Sequence, residues 1–146
     1  MKKLLFIIAL CCLGMTLSAA TPDGWMTDYD AALKKAEAEK KFVYVLFTGS
    51  DWCHWCKKLR NDVLEKKAFQ KFAKEKMILV YCDFPRKQQL PREQMEKQKK
   101  WFQQLNESAS GVPSAVIVTS DGKVAGRISG YMSAKNYIKK LKSITK

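Results

Sequence analysis

The stretch that decides the fold reads Phe47-Thr48-Gly49-Ser50-Asp51-Trp52-Cys53-His54-Trp55-Cys56. The apolar run Phe42–Phe47 predicts a buried strand, and a short loop then opens into a helix. This order places the Cys53 thiol at the helix N-terminus, where free backbone N–H groups and the helix dipole favour a thiolate. The Cys56 thiol lies within the first helical turn, near enough to form a disulfide with Cys53. The spacing therefore predicts a centre for dithiol–disulfide exchange.

Hydrophobic patterns on both sides of this stretch predict alternating helices and strands. Helical spacing of apolar residues and capping signals alternate with β-branched runs, and Asp121-Gly122 predicts a hairpin turn. In chain order we expect a helix at 28–40, a strand at 42–47, helices at 53–65 and 68–74, a strand at 77–82, a helix after Pro91 with Met95, Phe102 and Leu105 on its apolar face, strands at 114–119 and 123–129, and a helix capped by Ser133. This order predicts an α/β fold with a mixed sheet flanked by helices.

The N-terminal residues have the pattern of a secretory signal peptide. Met1-Lys2-Lys3 is basic, residues 4–17 are mainly apolar, and Ser18-Ala19-Ala20 supplies small residues for a peptidase. We predict cleavage after Ala20, leaving one domain at residues 21–146 in the periplasm or otherwise outside the cytoplasm. An uncleaved membrane anchor is the alternative, although the apolar segment is short for a span.

The cysteines outside the predicted signal peptide are too few for a disulfide scaffold. The chain has five cysteines, and Cys53, Cys56 and Cys82 lie beyond residue 20. The Cys53–Cys56 pair is therefore interpreted as catalytic rather than structural. Cys82 belongs to the apolar run 77–82, so we expect a buried, inert thiol on a strand.

The chain is strongly basic, with a formal net charge of +13. Its lysines are spread over every predicted helix. They do not alternate with aromatic residues, as they would in a surface that binds nucleic acid by stacking. We interpret this charge mainly as a solvated surface, with weak attraction to anionic membranes or acidic clients as a by-product, and expect no nucleic-acid partner.

Two motifs together resemble the thioredoxin superfamily. These are the segment 52–56 after a central strand and Gly111-Val112-Pro113 before the terminal hairpin. The wider sequence is similar to an exported bacterial subgroup of thioredoxin-like proteins, through the segments 47–53, 57–59, 83–85 and 130–131. The resemblance covers nearly all of residues 25–146. It implies a thioredoxin-like fold with a mixed four-stranded central sheet flanked by helices.

The resemblance also implies roles for individual residues. Cys53 would be the exposed attacking thiol, and Cys56 the less accessible resolving thiol. Pro113 matches the cis-proline of the family and would bring the Val112 backbone beside the dithiol, where it can hydrogen-bond an extended client strand. Trp52 would flank the site as an apolar wall. No cofactor is expected beyond the Cys53–Cys56 disulfide.

The dipeptide between the cysteines is a candidate for tuning the redox potential. His54 is the only histidine of the chain. A partial positive charge on it would stabilise the Cys53 thiolate and make the pair more oxidising. The effect of Trp55 has no predicted sign, and both residues are also consistent with plain exposed loop positions.

Two features depart from the pattern of the family. Many thioredoxins carry a buried acid six residues before the first cysteine, where this chain has Phe47, and Asp51 is the nearest carboxylate in sequence. The interval from Asp83 to Pro113 is also longer than in a minimal thioredoxin. We expect the polar segment 86–110 to lengthen a helix beside the site, without an assigned role.

Several functions remain open on the sequence alone. The resemblance favours a reductase. We expect a monomer that acts on disulfide-containing exported proteins and exchanges electrons with a membrane or periplasmic partner. An oxidase or isomerase of the same fold is the alternative in the same class. Outside that class stand a metal-binding Cys-x-x-Cys, for which we expect no site because four ligands are lacking, and a redox-inert client-binding module.

Overall fold

The computed structural model describes residues 21–106 and 111–146, so the predicted signal peptide lies outside the described residues. The described elements occur in the predicted order. They are α1 (Tyr29–Glu39), β1 (Phe42–Thr48), α2 (His54–Leu59), continued by a π-helical segment (Arg60–Leu64), α3 (Lys67–Lys76), β2 (Met77–Asp83), α4 (Arg92–Leu105), β3 (Ser114–Val118), β4 (Val124–Ser129) and α5 (Ala134–Ile144).

The four strands form one mixed sheet in the order β2-β1-β3-β4. Strand β1 runs parallel to β2 and antiparallel to β3, and β4 completes the predicted hairpin. The outer edge of β2 is partly covered by Met26, which accepts from the Tyr81 N–H and donates to the Leu79 carbonyl, each at 2.8 Å. The predicted mixed four-stranded sheet is therefore confirmed.

Side chains alternate between the two faces of β1 and divide the interior into two cores. Tyr44 and Leu46 face α2, α3 and α5, whereas Val43, Val45 and Phe47 face α1 and α4. Because every strand residue from 43 to 48 is buried, this central strand is covered by helices on both sides. The Cys-x-x-Cys segment follows directly from its carboxyl end.

The helix after the cysteines differs from the uniform helix predicted at 53–65. Cys53 is the N-cap rather than a helical residue, and the backbone widens after Leu59. There the Glu65 N–H donates to the Arg60 carbonyl, five residues earlier, at 2.9 Å. The wider turn leaves both Val63 and Leu64 buried against the first core.

Helix α4 buries a different face from the one predicted. Leu105 is buried as expected, but Met95 and Phe102 are only half-buried, while Gln98 and Trp101 are buried. Gln98 is fully buried because its amide forms hydrogen bonds with backbone groups at the end of β2. A glutamine at a core position breaks the apolar pattern on which the prediction rested.

Helix α5 packs its predicted apolar stripe against the first core. Tyr137 and Leu141 are buried, and the Tyr137 hydroxyl lies 2.5 Å from that of Tyr44. Ser133 precedes the helix as predicted, although its side chain forms no capping hydrogen bond. Within residues 21–106 and 111–146, none of the helices has the length and hydropathy that a bilayer span requires.

Candidate active site

The two cysteines of the motif form a disulfide at the start of α2. Their Cα atoms are 5.2 Å apart. The Cys53 Sγ accepts the backbone N–H of Cys56 at 3.2 Å, as an N-cap side chain does. The N–H of Gly49 points at the Cys56 Sγ from 3.4 Å. Each sulfur thus faces a backbone donor, and such donors favour a thiolate once the disulfide is reduced.

The disulfide is more enclosed than the sequence predicted. Cys53 is 7% exposed and Cys56 is 4% exposed, so the expectation of an exposed Cys53 is wrong for this oxidised state. Enclosure arises because the loop 111–113 lies over the disulfide, with the Val112 carbonyl oxygen 3.8 Å from the Cys53 Sγ. The Val112–Pro113 peptide bond is cis, with Pro113 buried and Val112 half-buried.

Trp52, which precedes Cys53 in sequence, has an anchored and partly exposed side chain. Its ring is 37% exposed, and its Nε1–H donates to the Phe84 carbonyl at 2.7 Å. The Arg86 guanidinium lies over the ring, 3.9 Å from its centroid. Gly49 is required here, because a Cβ at that position would come within 2.5 Å of the indole. These contacts anchor the Trp52 side chain, and its role as a wall of the site stays a prediction.

Trp55 is the most exposed aromatic side chain near the disulfide, at 53%. The centroid of its ring lies 5.4 Å from that of the His54 ring, which it meets edge-on, and 5.6 Å from that of the Tyr131 ring. Tyr131 donates its hydroxyl to Asp62 at 2.9 Å and lies beneath the Lys58 ammonium. No pattern in the sequence assigns a role to Tyr131, since only the fold brings residue 131 to this helix.

Asp51 ties the loop before Cys53 to the segment that follows β2. Its carboxylate accepts the N–H of Arg86 at 3.0 Å and that of Lys87 at 2.6 Å. These backbone hydrogen bonds, that to Arg86 first, lower the pKa of Asp51. The nearest carboxylate in sequence is therefore engaged in holding a loop, away from the sulfurs.

A buried carboxylate that the sequence analysis missed lies at the end of β2. Asp83 is 4% exposed and accepts hydrogen bonds from the N–H of Ser50 at 2.9 Å and from its hydroxyl at 2.5 Å. The parallel register pairs Asp83 with Thr48, one residue beyond Phe47. Aligning the predicted strands 42–47 and 77–82 in parallel would have indicated that Asp83 lies beside the residue that follows Phe47.

Cys82 lies apart from the disulfide. It is fully buried in the core between the sheet and helices α1 and α4, and burial raises the pKa of its thiol. The prediction of a buried thiol is confirmed. In the part of the chain that the structure describes, no cluster of three or more His, Cys, Asp or Glu side chains is arranged to hold a metal ion.

A Cys-x-x-Cys disulfide at a helix start, on a four-stranded mixed sheet, defines a thioredoxin-fold thiol–disulfide oxidoreductase. Comparison with known families agrees, since a model described as a thioredoxin-like domain matches residues 29–145. The chain belongs to this family.

Individual proteins show more specific similarities than the family model does. The chain is 33% identical over 120 residues to the disulfide bond reductase DsbH of Chlamydia pneumoniae, covering 81% of this chain and 70% of that protein. A solved structure named DsbH oxidoreductase superposes with a TM-score of 0.75 at 30% identity, covering 90% of this chain and 94% of that one. A disulphide isomerase from Xylella fastidiosa gives a TM-score of 0.64 at 22% identity over 86% and 93% of the two chains, a likeness of fold alone.

Proposed function

We propose that the protein is an exported reductase of protein disulfides. The observation that carries the direction is its similarity, over most of the chain, to a relative named as a disulfide bond reductase. The fold alone carries no direction, because solved structures named as an oxidoreductase and as an isomerase share it. The Cys53–Cys56 pair supplies the two electrons, and no cofactor takes part in the exchange.

The reduced protein would transfer electrons in two steps. The Cys53 thiolate attacks one sulfur of a client disulfide, forming a mixed disulfide and releasing the other client sulfur as a thiolate. The Cys56 thiolate then attacks the Cys53 Sγ, which breaks the bond to the client and forms the Cys53–Cys56 disulfide. The client gains two electrons and the protein loses two. An electron-exchange partner in the membrane or periplasm returns the protein to its dithiol state.

The surroundings of the disulfide support docking of an extended client segment. The backbone of Val112 lies beside the Cys53 Sγ and can pair with a client strand, and the buried Pro113 follows it across a cis peptide bond. Trp52 and Trp55, which precede and follow Cys53 in sequence, present exposed apolar surface. We propose that these four residues bind the client backbone and its neighbouring apolar side chains.

An oxidase remains the second candidate, and His54 is the observation that favours it. The imidazole is exposed directly after Cys53, and a positive charge there would stabilise the thiolate and hence the reduced protein. The two directions predict different reduction potentials. A reductase has a value near that of thioredoxin, about −270 mV, and an oxidase a value toward about −120 mV.

Equilibration of the full chain, exported and purified as the cell processes it, with glutathione buffers measures this potential. The reference values for a reductase and for an oxidase differ by about 150 mV. A measured potential nearer about −120 mV than about −270 mV would favour the oxidase over the reductase. The mass of the purified protein tests the proposed cleavage after Ala20.

Client capture tests the attacking residue. Cys56→Ser should accumulate mixed disulfides between Cys53 and exported proteins, since the resolving thiol is gone. Cys82→Ser is the matched control, because it removes a buried thiol and leaves the pair intact. Absence of captured clients from the Cys56→Ser protein, with the variant folded, would support the redox-inert module instead.

A further inference from the structure

The resolving thiol must lose a proton inside the protein. Cys56 is 4% exposed, and burial away from water disfavours the thiolate that the second step requires. The Gly49 N–H stabilises negative charge on the Cys56 Sγ but cannot accept its proton. A proton acceptor within reach of this sulfur is therefore needed for exchange in either direction.

Asp83 and the Cys56 sulfur are held by consecutive backbone amides. The N–H of Gly49 points at the sulfur, and the N–H of Ser50 donates to the Asp83 carboxylate. The Ser50 hydroxyl also donates to the carboxylate. Asp83 lies two residues after Tyr81 on β2, so its side chain is on the sheet face that packs against α2.

Cys56 and Ser50, the residue that hydrogen-bonds Asp83, line one cavity of about 410 Å³. Its lining includes Cys56, Ser50, Thr48 and Tyr81, and its volume has room for several water molecules with polar partners. Tyr81 lines the same cavity, and burial, followed by the charge of Asp83, raises its pKa to about 12. The charged groups around the cavity are Lys57, Arg60, Asp23 and Glu65.

Gln98 fixes the backbone of Asp83 from the opposite side. Its amide Nε2 donates to the Asp83 carbonyl at 2.9 Å, and its Oε1 accepts the Asp83 N–H at 3.2 Å. Gln98 is fully buried, so this pair of hydrogen bonds is shielded from water. Helix α4, which lies in the segment without an assigned role, thereby holds the last residue of an edge strand in place.

We propose that Asp83 is the proton acceptor for Cys56, acting through the Ser50 hydroxyl that donates to its carboxylate, and that Gln98 positions it. In the second step the Cys56 proton passes to the Asp83 carboxylate, and the Cys56 thiolate attacks the Cys53 Sγ. The client sulfur leaves with the electron pair of the broken bond. In the reverse reaction Asp83 returns the proton to Cys56. The proposal is thus independent of the reductase direction.

A two-step reaction with a chromogenic disulfide separates the two thiols. Reduced protein mixed with excess dithiobis(nitrobenzoate) releases one coloured thiolate when Cys53 attacks and a second when Cys56 displaces the reagent from Cys53. We expect Asp83→Asn to slow the second release by about a hundredfold near pH 7, the lower end of general-base contributions, and to leave the first unchanged. The difference in the rate of the second release between Asp83→Asn and the wild type should shrink as pH rises, because hydroxide then removes the Cys56 proton.

Matched variants separate proton transfer from folding. Asp83→Glu should recover part of the second rate, and Ser50→Ala should slow the same release while leaving the carboxylate in place. Asp121→Asn, an exposed site in the β3–β4 turn, makes the same change of charge and should leave both rates unchanged. The proposal is overturned if the rate of the second release in both Ser50→Ala and Asp83→Asn follows the wild-type pH profile throughout. If Asp83→Asn does not fold, the Ser50→Ala profile decides alone.

Discussion

At the scale of single residues, the geometry of Cys53 predicts an unusually acidic thiol. Its sulfur accepts the Cys56 N–H at a helix start, and both features stabilise the thiolate. We expect the pKa of Cys53 in the reduced protein to lie well below the value of about 8.5 for free cysteine. The pH dependence of its alkylation rate measures this pKa, with Cys82→Ser as the background. A midpoint at or above 8.5, that of free cysteine, would contradict the site geometry.

A second prediction concerns the buried tyrosine pair. The hydroxyls of Tyr44 and Tyr137 lie 2.5 Å apart with both side chains almost fully buried. Tyr137→Phe leaves the Tyr44 hydroxyl without this partner and should cost about 1–3 kcal/mol in the free energy of unfolding. Tyr44→Phe combined with Tyr137→Phe removes both polar groups and should restore much of that loss. Urea unfolding of the three variants completes the cycle, and additive losses would exclude the coupling.

At the scale of elements, α4 stabilises the edge of the sheet through a polar contact. Replacing Gln98 by Leu leaves the buried N–H and C=O of Asp83 without these partners, so we expect a loss of about 1–3 kcal/mol in the free energy of unfolding. Gln103→Leu, on an exposed position of the same helix, is the matched control and should stay within about 0.5 kcal/mol. Equal losses in the two variants would show that the contact contributes nothing specific.

The connection between two loops gives another prediction at this scale. Asp51 accepts the backbone N–H groups of Arg86 and Lys87, which ties the segment after β2 to the loop before Cys53. Asp51→Ala should speed hydrogen exchange at these two amides and leave the amides of β1 unaffected. Asp121→Ala, another exposed turn carboxylate, provides the comparison. Unchanged exchange at residues 86 and 87 in Asp51→Ala would mean that the segment is held by other contacts.

Strands and helices were predictable here where one local pattern decided them. The run from residue 42 specified β1 to within one residue, and the Cys-x-x-Cys spacing located the disulfide. Gln98 and Asp83 escaped prediction because their importance depends on the register of β2 against β1 and on a contact with α4. Such contacts join positions distant in sequence, which a periodic pattern along one segment does not record.

At the scale of the whole molecule, the parallel pairing of β1 and β2 brings the chemistry to one end of the sheet. Both strands end there, so the loop before Cys53 and the buried Asp83 meet at the same edge. The antiparallel β3 enters from this edge, which places Val112 over the disulfide. The active site thus depends on three connections that only the complete sheet brings together.

Tyrosine hydroxyls and one thiol are buried in the two cores, and this burial predicts that the folded protein loses stability in alkali. Burial raises the pKa values of Tyr44, Tyr81, Tyr137 and Cys82 above their ordinary values, which are about 10 for tyrosine and about 8.5 for cysteine. Between its unfolded and folded pKa values, each group stays protonated in the folded state and ionises in the unfolded state. The unfolded state then binds fewer protons, so stability is complete below the unfolded pKa and falls as pH rises.

We therefore expect the free energy of unfolding of the oxidised protein to be flat near neutral pH with respect to these groups. It should decline from about pH 9, by up to about 1.4 kcal/mol per pH unit for each group that ionises on unfolding. Urea unfolding across this range measures the slope. Cys82→Ala removes the group that ionises first, so the decline should begin closer to pH 10, the ordinary pKa of tyrosine. A stability that rises with pH in this window would show that these hydroxyls and this thiol are not buried in solution.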